Sequence, residues 1–264
     1  MKISVITPTF NSEASIRRNI QSVNVQLHPE TEHIFIDNLS SDQTVSMINN
    51  QSKRSPKIVS EKDRGISDAF NKGIRIASGD IISILNSDDA FFDEHTLERV
   101  TSAFLAEPDL EFVHGNMLFV DPVHGSQIRR PLQGPITKAM PFNHPAFFVR
   151  KSFYDKLGLF DESFSYAMDF ELICRLYLNP LETKLKGYYI EGAPLAVMHS
   201  GGASTVNELK SVEEAERALK KNQLWNLEAQ KALSNRRNRI HLKNYFSKWG
   251  LGGLIKVWRF FKWR

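Results

Sequence analysis

Two adjacent acidic residues, Asp88 and Asp89, are the part of this chain best suited to chemistry. They follow residues 80–85, which have the apolar pattern of a buried β-strand, and aromatic residues come directly after them. Two carboxylates held together beside a cleft repel each other unless a cation or ligand donors lie between them. The pair therefore indicates a metal-dependent phosphate site, although Asn-Ser-Asp-Asp also suits a solvated turn.

The elements that would position this pair alternate between strand and helix patterns. Strands are predicted at residues 3–7, 33–37, 57–60 and 80–85, and helices at 12–25, 42–51 and 67–77. Repeated βα units predict a mainly parallel sheet with helices on both faces. Functional groups of such sheets collect at the carboxyl ends of the strands, where Asp88 and Asp89 are expected.

Beyond Asp89 the order of elements changes. Helices are predicted at residues 97–106, 151–157 and 169–178, a hairpin at 111–121 and 126–130, and strands at 146–149 and 188–197. No internal repeat or low-complexity linker divides the chain. We therefore predict one α/β domain over residues 1–215 and a helical extension over 216–264.

Composition sets outer limits on the class of protein. The chain has 264 residues, of which 41% are hydrophobic and 24% charged, as in ordinary globular proteins. Its one cysteine, Cys174, excludes an internal disulfide and falls in a helical pattern that predicts a small buried side chain. Because a strand pattern begins at once and no apolar run reaches the roughly 18–20 residues of a membrane span, we expect a cytoplasmic protein.

Cations dominate the end of the chain. From residue 229 onward there are 10 Lys and Arg residues and no Asp or Glu. Leu254, Val257, Trp258 and Phe261 recur there at helical spacing, as in helices that lie in the headgroup layer of anionic membranes. Peripheral contact with the inner face of the cell membrane is the favoured interpretation, and packing of these side chains on the domain is the alternative. Nucleic acid is not expected, because no recognition motif accompanies the basic segment.

Seven segments, in this order and spacing, resemble the motifs of family 2 glycosyltransferases. They are TPTFN at 7–11, DNLSSDQT at 37–44, ExDxG at 61–65 leading into DAFNKG at 68–73, LNSDD at 85–89, GLFDESF at 158–164, AMDFEL at 167–172 and HSGGAS at 199–204. Each segment alone is a weak signal, whereas their joint order is a strong one. The likeness spans about residues 3–205 and is nearest to enzymes that build bacterial colanic-acid-type and O-antigen polysaccharides.

The resemblance implies a GT-A, Rossmann-like fold with a mixed, mainly parallel sheet, flanking helices and the basic C-terminal extension. Residues 1–90 would form the nucleotide-binding half and residues 91–215 the acceptor half. The implied reaction is an inverting transfer of one sugar from a nucleotide diphosphate sugar, with a UDP-sugar favoured by family frequency. The acceptor would be a hydroxyl of a glycan or of a polyprenyl-diphosphate-linked oligosaccharide in bacterial surface polysaccharide synthesis.

Residue roles carry over from the family position by position, first on the donor side. Thr7, Pro8 and Asp37 would hold the base and ribose of the nucleotide. Asp63 would add to the base pocket, and Asp88 would meet the ribose.

The remaining roles concern the cation and the transfer itself. Asp89 would coordinate Mn²⁺ or Mg²⁺, and His199 would ligate the same cation or contact the diphosphate, with a loop-capping role as the alternative. Asp169 would be the general base. His144 and Gly201 would lie on the acceptor side, with a structural hydrogen bond as the alternative for His144.

An inverting sugar transfer requires a base, whatever the family of the enzyme, and a carboxylate can serve as that base. Inversion needs a single in-line displacement, so a carboxylate must accept the proton of the acceptor hydroxyl on the face of the sugar away from the leaving group. Asp169 begins a predicted helix, whose dipole favours the ionised form. Glu171 is the rival base, but two positions along a regular helix it points elsewhere.

Three features separate the remaining alternatives. Processive synthases of this family carry membrane spans and a Gln-x-x-Arg-Trp motif, which residues 222–225 do not match, so a single-addition enzyme is predicted. A sugar nucleotidyltransferase would show a Gly-rich basic segment after the first strand, and none is present. A non-catalytic sugar-nucleotide-binding protein remains the rival from another class.

Overall fold

The structure is a computed structural model that describes residues 1–54, 56–122, 125–178, 185–201 and 207–248. Its elements are, in chain order, β1 (Ile3–Thr9), α1 (Ile16–Asn24), β2 (Thr31–Asp37), α2 (Thr44–Gln51), β3 (Lys57–Ser60), α3 (Ile66–Ile76), β4 (Ile81–Ile84), β5 (Ala90–Phe91), α4 (Thr96–Ala106), β6 (Leu110–Gly115), β7 (Met117–Asp121), β8 (Gly125–Arg129), a 3-10 turn (His144–Ala146), β9 (Phe147–Arg150), α5 (Ser152–Leu157), α6 (Met168–Leu178), β10 (Lys186–Ile190), β11 (Ala196–His199), α7 (Glu208–Lys221) and α8 (Leu227–Lys248).

A seven-stranded sheet forms the centre of the molecule, with strand order β10-β6-β9-β4-β1-β2-β3. All of its strands run in one direction except β9, which is antiparallel to β4 and to β6. The sheet is therefore mixed and mainly parallel, as the alternating βα pattern predicts. The residues of β1, β2 and β4 are buried almost throughout because helices cover both faces of the sheet.

Helix α3 packs closely on β1, and a glycine allows this approach. A Cβ atom added at Gly73 would lie 2.3 Å from Cγ2 of Ile6, so only glycine fits there without a shift of the two elements. Ala69, Phe70 and Ile74 of the same helix join the largest core cluster. This packing fixes the helix whose first turn borders the cleft described below.

A second sheet, with strand order β5-β11-β7-β8, departs from the prediction of one hairpin and one last strand. Residues 111–121 are divided at Asn116, whose backbone carbonyl accepts from Leu195 at 2.8 Å and whose side-chain amide donates to Gly192 at 2.8 Å. The predicted strand at 188–197 is likewise two strands, one in each sheet. Both predictions of a continuous strand were wrong because the chain passes between the sheets at these points.

The C-terminal helices pack onto the domain. The predicted boundary near residue 215 falls within α7, whose residues Val212, Ala215 and Leu219 are buried in the largest core cluster. Helix α8 adds Ala229, Leu233 and Ile240 to that cluster. The proposed membrane-contacting residues 254–261 lie outside the described residues. Among the described helices, none has the length and apolar character needed to cross a membrane.

Candidate active site

A cleft of about 710 Å³ opens at the carboxyl ends of β1, β2 and β4. The ends of parallel strands are where open α/β sheets place their ligands. The predicted site residues that line the cleft are Pro8, Asp63, Asp88, Asp89, His144, Asp169 and Gly201. The structure therefore brings seven of the ten together in the cleft lining. Thr7 and Asp37 are fully buried behind it, and His199 is partly buried beside Asp88.

Thr7 is fully buried and supports the turn that carries the acidic pair. Its hydroxyl donates to the backbone carbonyl of Leu85 at 2.9 Å, and Asn19 on α1 donates to the carbonyl of Asn86 at 2.9 Å. Its side chain points into the protein rather than into the cleft, and a contact of Thr7 with the base or ribose stays a prediction. Its hydrogen bond anchors the chain just before Asp88 and Asp89.

Asp37 is also fully buried, and its carboxylate is occupied by neighbours within the protein. It accepts from the hydroxyls of Thr9 at 3.0 Å, Ser40 at 2.5 Å and Ser60 at 2.7 Å, and from the backbone N–H of Ser40 at 3.0 Å. A direct contact of Asp37 with the base likewise stays a prediction. Asp37 instead holds Thr9, which lines the cleft, and the loop after β2.

Asp89 is the most electrostatically perturbed acid of the cleft. Burial raises the pKa of its carboxyl well above the usual range, and the neighbouring charge of Asp88 adds to the shift. Only 2% of Asp89 is exposed, and among the described residues no cation offsets the effect of burial on its carboxyl. A buried carboxylate in this state gains most from a bound cation, which replaces the lost solvation.

His199 lies at the end of β11, next to Asp88. Burial lowers the pKa of its imidazole, and Arg18 lowers it further, against the opposing influence of the Asp88 backbone and charge. A neutral imidazole is the form that ligates metals. Among the described residues, neither its buried Nδ1 nor the buried Oδ1 of Asn86 has a hydrogen-bond partner.

The donor set fits a divalent cation that shares its ligands with a phosphate. Within the described ranges, no group of three or more His, Cys, Asp or Glu side chains converges as a complete metal cage. Mg²⁺ and similar ions are commonly bound by one or two carboxylates together with substrate phosphates. Asp89, a buried acid at the cleft wall, matches that arrangement.

The opposite part of the cleft is formed around the start of α6. Asp169 lies in its first turn with 28% of its side chain exposed, and its Oδ1 accepts from the N–H of Phe170 at 2.7 Å. Nδ1 of His144 lies 3.8 Å from Oδ2 of Asp169. Burial lowers the pKa of His144, and the charge of Asp169 opposes that shift. His144 therefore stands beside Asp169 and stacks on Phe70, with ring centroids 5.8 Å apart.

Asp63 and Pro8 both line the cleft. The N–H of Asp63 donates to the side chain of Asn38 at 2.9 Å, and its carboxylate accepts from the N–H of Gly65 at 2.9 Å. Partial burial raises the pKa of Asp63 despite that hydrogen bond. Gly65 has a φ of 122°, a conformation that only glycine adopts readily, so the turn into α3 depends on it.

Glu171 is excluded as a rival base because it is buried and paired. It is 0% exposed, and its carboxylate contacts Arg175 at 2.9 Å and Lys221 at 2.7 Å. Glu171 is not among the residues that line the cleft. Its role is to join α6 to α7.

We expect Glu171→Gln to lower the free energy of unfolding by about 1.5–3 kcal/mol, because two charge-assisted contacts lose their anion. Urea denaturation followed by circular dichroism measures this change. Glu213→Gln, at an exposed position of α7, is the matched control and should stay within about 0.5 kcal/mol of the parent protein. Equal midpoints for the two variants would show that these ion pairs contribute nothing to folding.

Several cleft residues were not singled out from the sequence. Thr9, Phe10, Asn38, Ser87, Ser165 and Tyr166 line the cleft beside the predicted residues. Most of them lie within the motifs quoted above. Their position beside a predicted site residue could therefore have indicated that they line the cleft. Asn19 carried no such signal, because its role depends on contacts with residues 67 positions away.

Comparison with known proteins decides the family. The model described as "Glycosyl transferase family 2" matches residues 4–174, well over half of the chain. The chain belongs to glycosyl transferase family 2. An uncharacterized glycosyltransferase of Mycobacterium tuberculosis is 32% identical over 184 residues, which cover 67% of this chain and 69% of that protein. A PGL/p-HBAD biosynthesis glycosyltransferase of Mycobacterium bovis is 26% identical over 190 residues, covering 67% of this chain and 70% of that protein.

Solved structures of family members and related enzymes share the fold. TarS of S. aureus, in complex with UDP-GlcNAc, superimposes with a TM-score of 0.65 at 20% identity, covering 94% of this chain and 73% of that one. The mannosyltransferase PcManGT of Pyrobaculum calidifontis, in complex with GDP-Man and Mn²⁺, gives 0.65 at 17% identity, covering 95% and 72%. The predicted GT-A fold is confirmed, and the protein is a family 2 glycosyltransferase.

Proposed function

We propose that this glycosyltransferase moves one sugar, with inversion, from a nucleotide diphosphate sugar to an acceptor hydroxyl. The observation that carries the proposal is one cleft lined by two different acids. Asp89 is buried with no compensating cation among the described residues, and Asp169 is partly exposed at a helix start. The first suits the diphosphate end of a donor, and the second suits a proton acceptor.

Each group of cleft residues has a defined task in this proposal. Pro8, Asn38 and Asp63 border the nucleoside, and Asp88 meets the ribose. Asp89, with His199 as a second ligand, would hold Mn²⁺ or Mg²⁺, and such a cation supplies positive charge to the departing diphosphate. Asp169 accepts the proton of the acceptor hydroxyl, and the positive end of the α6 dipole favours its ionised form.

A UDP-sugar is the favoured donor, and the acceptor is a glycan or a polyprenyl-diphosphate-linked oligosaccharide of bacterial surface polysaccharide synthesis. Support for the donor class comes from structural neighbours solved with UDP-GlcNAc and with GDP-Man and Mn²⁺. His144 and Gly201 would border the acceptor, because both line the cleft and His144 stands next to Asp169.

A donor panel tests the proposal. The purified protein is mixed with UDP-, GDP- and dTDP-sugars with Mn²⁺ or with chelator, and thermal unfolding and nucleotide release are measured. A ligand at about 100 times its Kd should raise the midpoint by roughly 5–10 °C. Release of nucleoside diphosphate supports transfer, whereas binding without release indicates a non-catalytic protein and pyrophosphate release a nucleotidyltransferase. Proton NMR of the freshly released sugar tests inversion.

We further propose that the basic C-terminal segment contacts anionic membrane surfaces. Two of its cations pair within the protein, Arg237 with Glu216 at 3.1 Å and Lys243 with Glu208 at 2.9 Å, so these serve the packing of α8 on α7. The proposal therefore depends on the residues beyond 248. Sedimentation with phosphatidylglycerol vesicles should retain the full chain, and Trp258→Ala/Phe261→Ala should reduce retention at least several-fold. Equal retention on phosphatidylcholine would contradict an electrostatic component.

A further inference from the structure

The segment that leads into α6 forms one wall of the cleft and is held from two sides. We define it as the 160–167 loop. On one side, α3 binds it through Ser67, whose hydroxyl donates to the carbonyl of Phe164 at 2.6 Å. Asn71 adds a pair of hydrogen bonds to the backbone of Phe160, each 2.9 Å long. The loop is therefore fixed to the helix that borders the nucleotide side of the cleft.

On the other side, α7 contacts the loop through residues 210, 214, 217 and 221. Their spacing of four, three and four residues places them on one face of the helix. Nζ of Lys210 lies 5.8 Å from the ring centroid of Tyr166, Arg217 donates to the carbonyl of Ser163 at 2.6 Å, and Nζ of Lys221 lies 2.7 Å from Asp161.

Glu214 makes the most concentrated contact of this face. Its carboxylate accepts the backbone N–H groups of three successive residues, Ser165 at 3.0 Å, Tyr166 at 2.7 Å and Ala167 at 2.9 Å. These groups lie just before the start of α6, where the helix dipole also favours a negative charge. One side chain thus satisfies three successive backbone donors in the segment that enters the helix.

We propose that Glu214 is a positioning residue for the acceptor side of the cleft. Ser165 and Tyr166 line the cleft, and Asp169 follows Ala167 by two residues. Fixing three consecutive N–H groups fixes the path of the backbone into the first turn of α6, and with it the direction of the Asp169 carboxylate. The assignment rests on the proposed function insofar as Asp169 is the base.

The consequence is that α7 belongs to the catalytic unit. Glu214 is 49 residues from Ser165 in sequence and lies beyond the segment matched by the family model, which ends at residue 174. Misplacement of a reacting group by about 1 Å can cost about 100-fold in rate. Loss of the Glu214 contact is therefore expected to act on turnover, while the nucleotide side, held by β1, β2 and β4, keeps its geometry.

The experiment compares Glu214→Ala and Glu214→Gln with Glu213→Ala, an exposed neighbour on the same helix, all in the full chain. Amide hydrogen exchange is measured for Ser165, Tyr166 and Ala167. Nucleotide release from a UDP-sugar with Mn²⁺ is measured alongside, with kcat and KM determined separately. Glu214→Gln retains one neutral acceptor oxygen, so it serves as the conservative variant and as the test if Glu214→Ala fails to fold.

In Glu214→Ala we expect exchange at the three amides to rise roughly 10- to 100-fold, because charge-assisted hydrogen bonds are lost. We expect kcat to fall about 10- to 100-fold with KM for the donor unchanged, and Glu214→Gln to lie between. Unchanged exchange, or increased exchange with unchanged kcat, would overturn the assignment. A parent protein that releases no nucleotide would instead overturn the proposed function, and the exchange data would still decide whether Glu214 holds the loop.

Discussion

Replacement of Asp169 by Asn is expected to lower kcat for sugar transfer by about 100- to 10,000-fold, the usual contribution of a general base. The amide has the same shape as the carboxylate, and its oxygen can still accept from the N–H of Phe170, now 2.7 Å from Oδ1. What it loses is the capacity to take a proton. Steady-state release of nucleoside diphosphate from the donor measures the change.

The same substitution should leave nucleotide affinity within about twofold of the parent, because Asp169 lies at the α6 side of the cleft and the nucleoside residues at the strand ends. Titration calorimetry with UDP and Mn²⁺ tests this separation. Asp155→Asn, on the exposed face of α5, is the matched control for removal of one negative charge. An unchanged kcat in Asp169→Asn would exclude this residue as the base. The base would then have to be another acid of the cleft.

The surroundings of His144 bear on the proposed role of Asp169 as the base. Its Nδ1 lies 3.8 Å from Oδ2 of Asp169, and its buried Nε2 has no hydrogen-bond partner in the described part of the chain. Because burial lowers the pKa of this imidazole, it is neutral above that pKa and presents no full charge that would hold the Asp169 carboxylate. Asp169 therefore remains free to collect a proton, in contrast to Glu171, whose lone pairs are committed to Arg175 and Lys221.

The position of the cleft could be predicted from the hydrophobic periodicity and from the order of the motifs. The strand pattern before Asp88 and Asp89 predicts a turn at a strand end, and that turn borders the cleft. The motif order also places Asp169 at the start of a helix. The direction in which a side chain points could not be predicted from these patterns. Thr7 and Asp37 sit in matching motifs, yet both point inward, since the hydrogen-bond partners that orient them come from distant segments.

The remaining errors have local or long-range causes. The predicted strand at 188–197 is divided at a place that the local sequence indicates. Gly192 and Pro194 lie there, between β10 and β11, and both residue types favour a break in a strand. The division at Asn116 had no such local indication, because it depends on contacts with Gly192 and Leu195 about 76 residues away. The same holds for the predicted boundary at residue 215, which falls within α7, and for Glu214, because nothing in the pattern of this helix indicates that Glu214 binds residues 165–167.

Asp89→Asn is expected to reduce turnover about 1,000-fold and, in metal-free buffer, to raise the thermal unfolding midpoint. The loss of turnover follows because a cation bound by this carboxylate is worth several kcal/mol at a departing diphosphate, and 1.36 kcal/mol corresponds to tenfold in rate. Chelator should reduce turnover of the parent to a similar level. Full activity of Asp89→Asn with Mn²⁺ would contradict the assignment of Asp89 as the metal ligand.

The stability of the metal-free protein tests Asp89 without any substrate. Burial raises the pKa of this carboxyl in the folded state, so the folded protein holds the proton more tightly than the unfolded chain. The folding free energy therefore worsens as pH rises above about 4, the ordinary Asp value, toward the raised pKa. Asn does not ionise, so Asp89→Asn should gain about 2–4 °C at pH 7, corresponding to about 1 kcal/mol, and much less at pH 4.

Added Mn²⁺ should reverse this order, because a ligand that binds only the folded parent stabilises it by mass action. Asp155→Asn, which removes an exposed charge, should show neither the gain in chelator nor the loss of the Mn²⁺ response. Differential scanning calorimetry at pH 4 and pH 7, with chelator and with Mn²⁺, measures all four conditions. An unfolding midpoint of Asp89→Asn equal to that of the parent, at pH 7 in chelator, would mean that burial of this carboxylate costs no folding free energy. It would then contradict the proposal that a cation binds here to offset that cost.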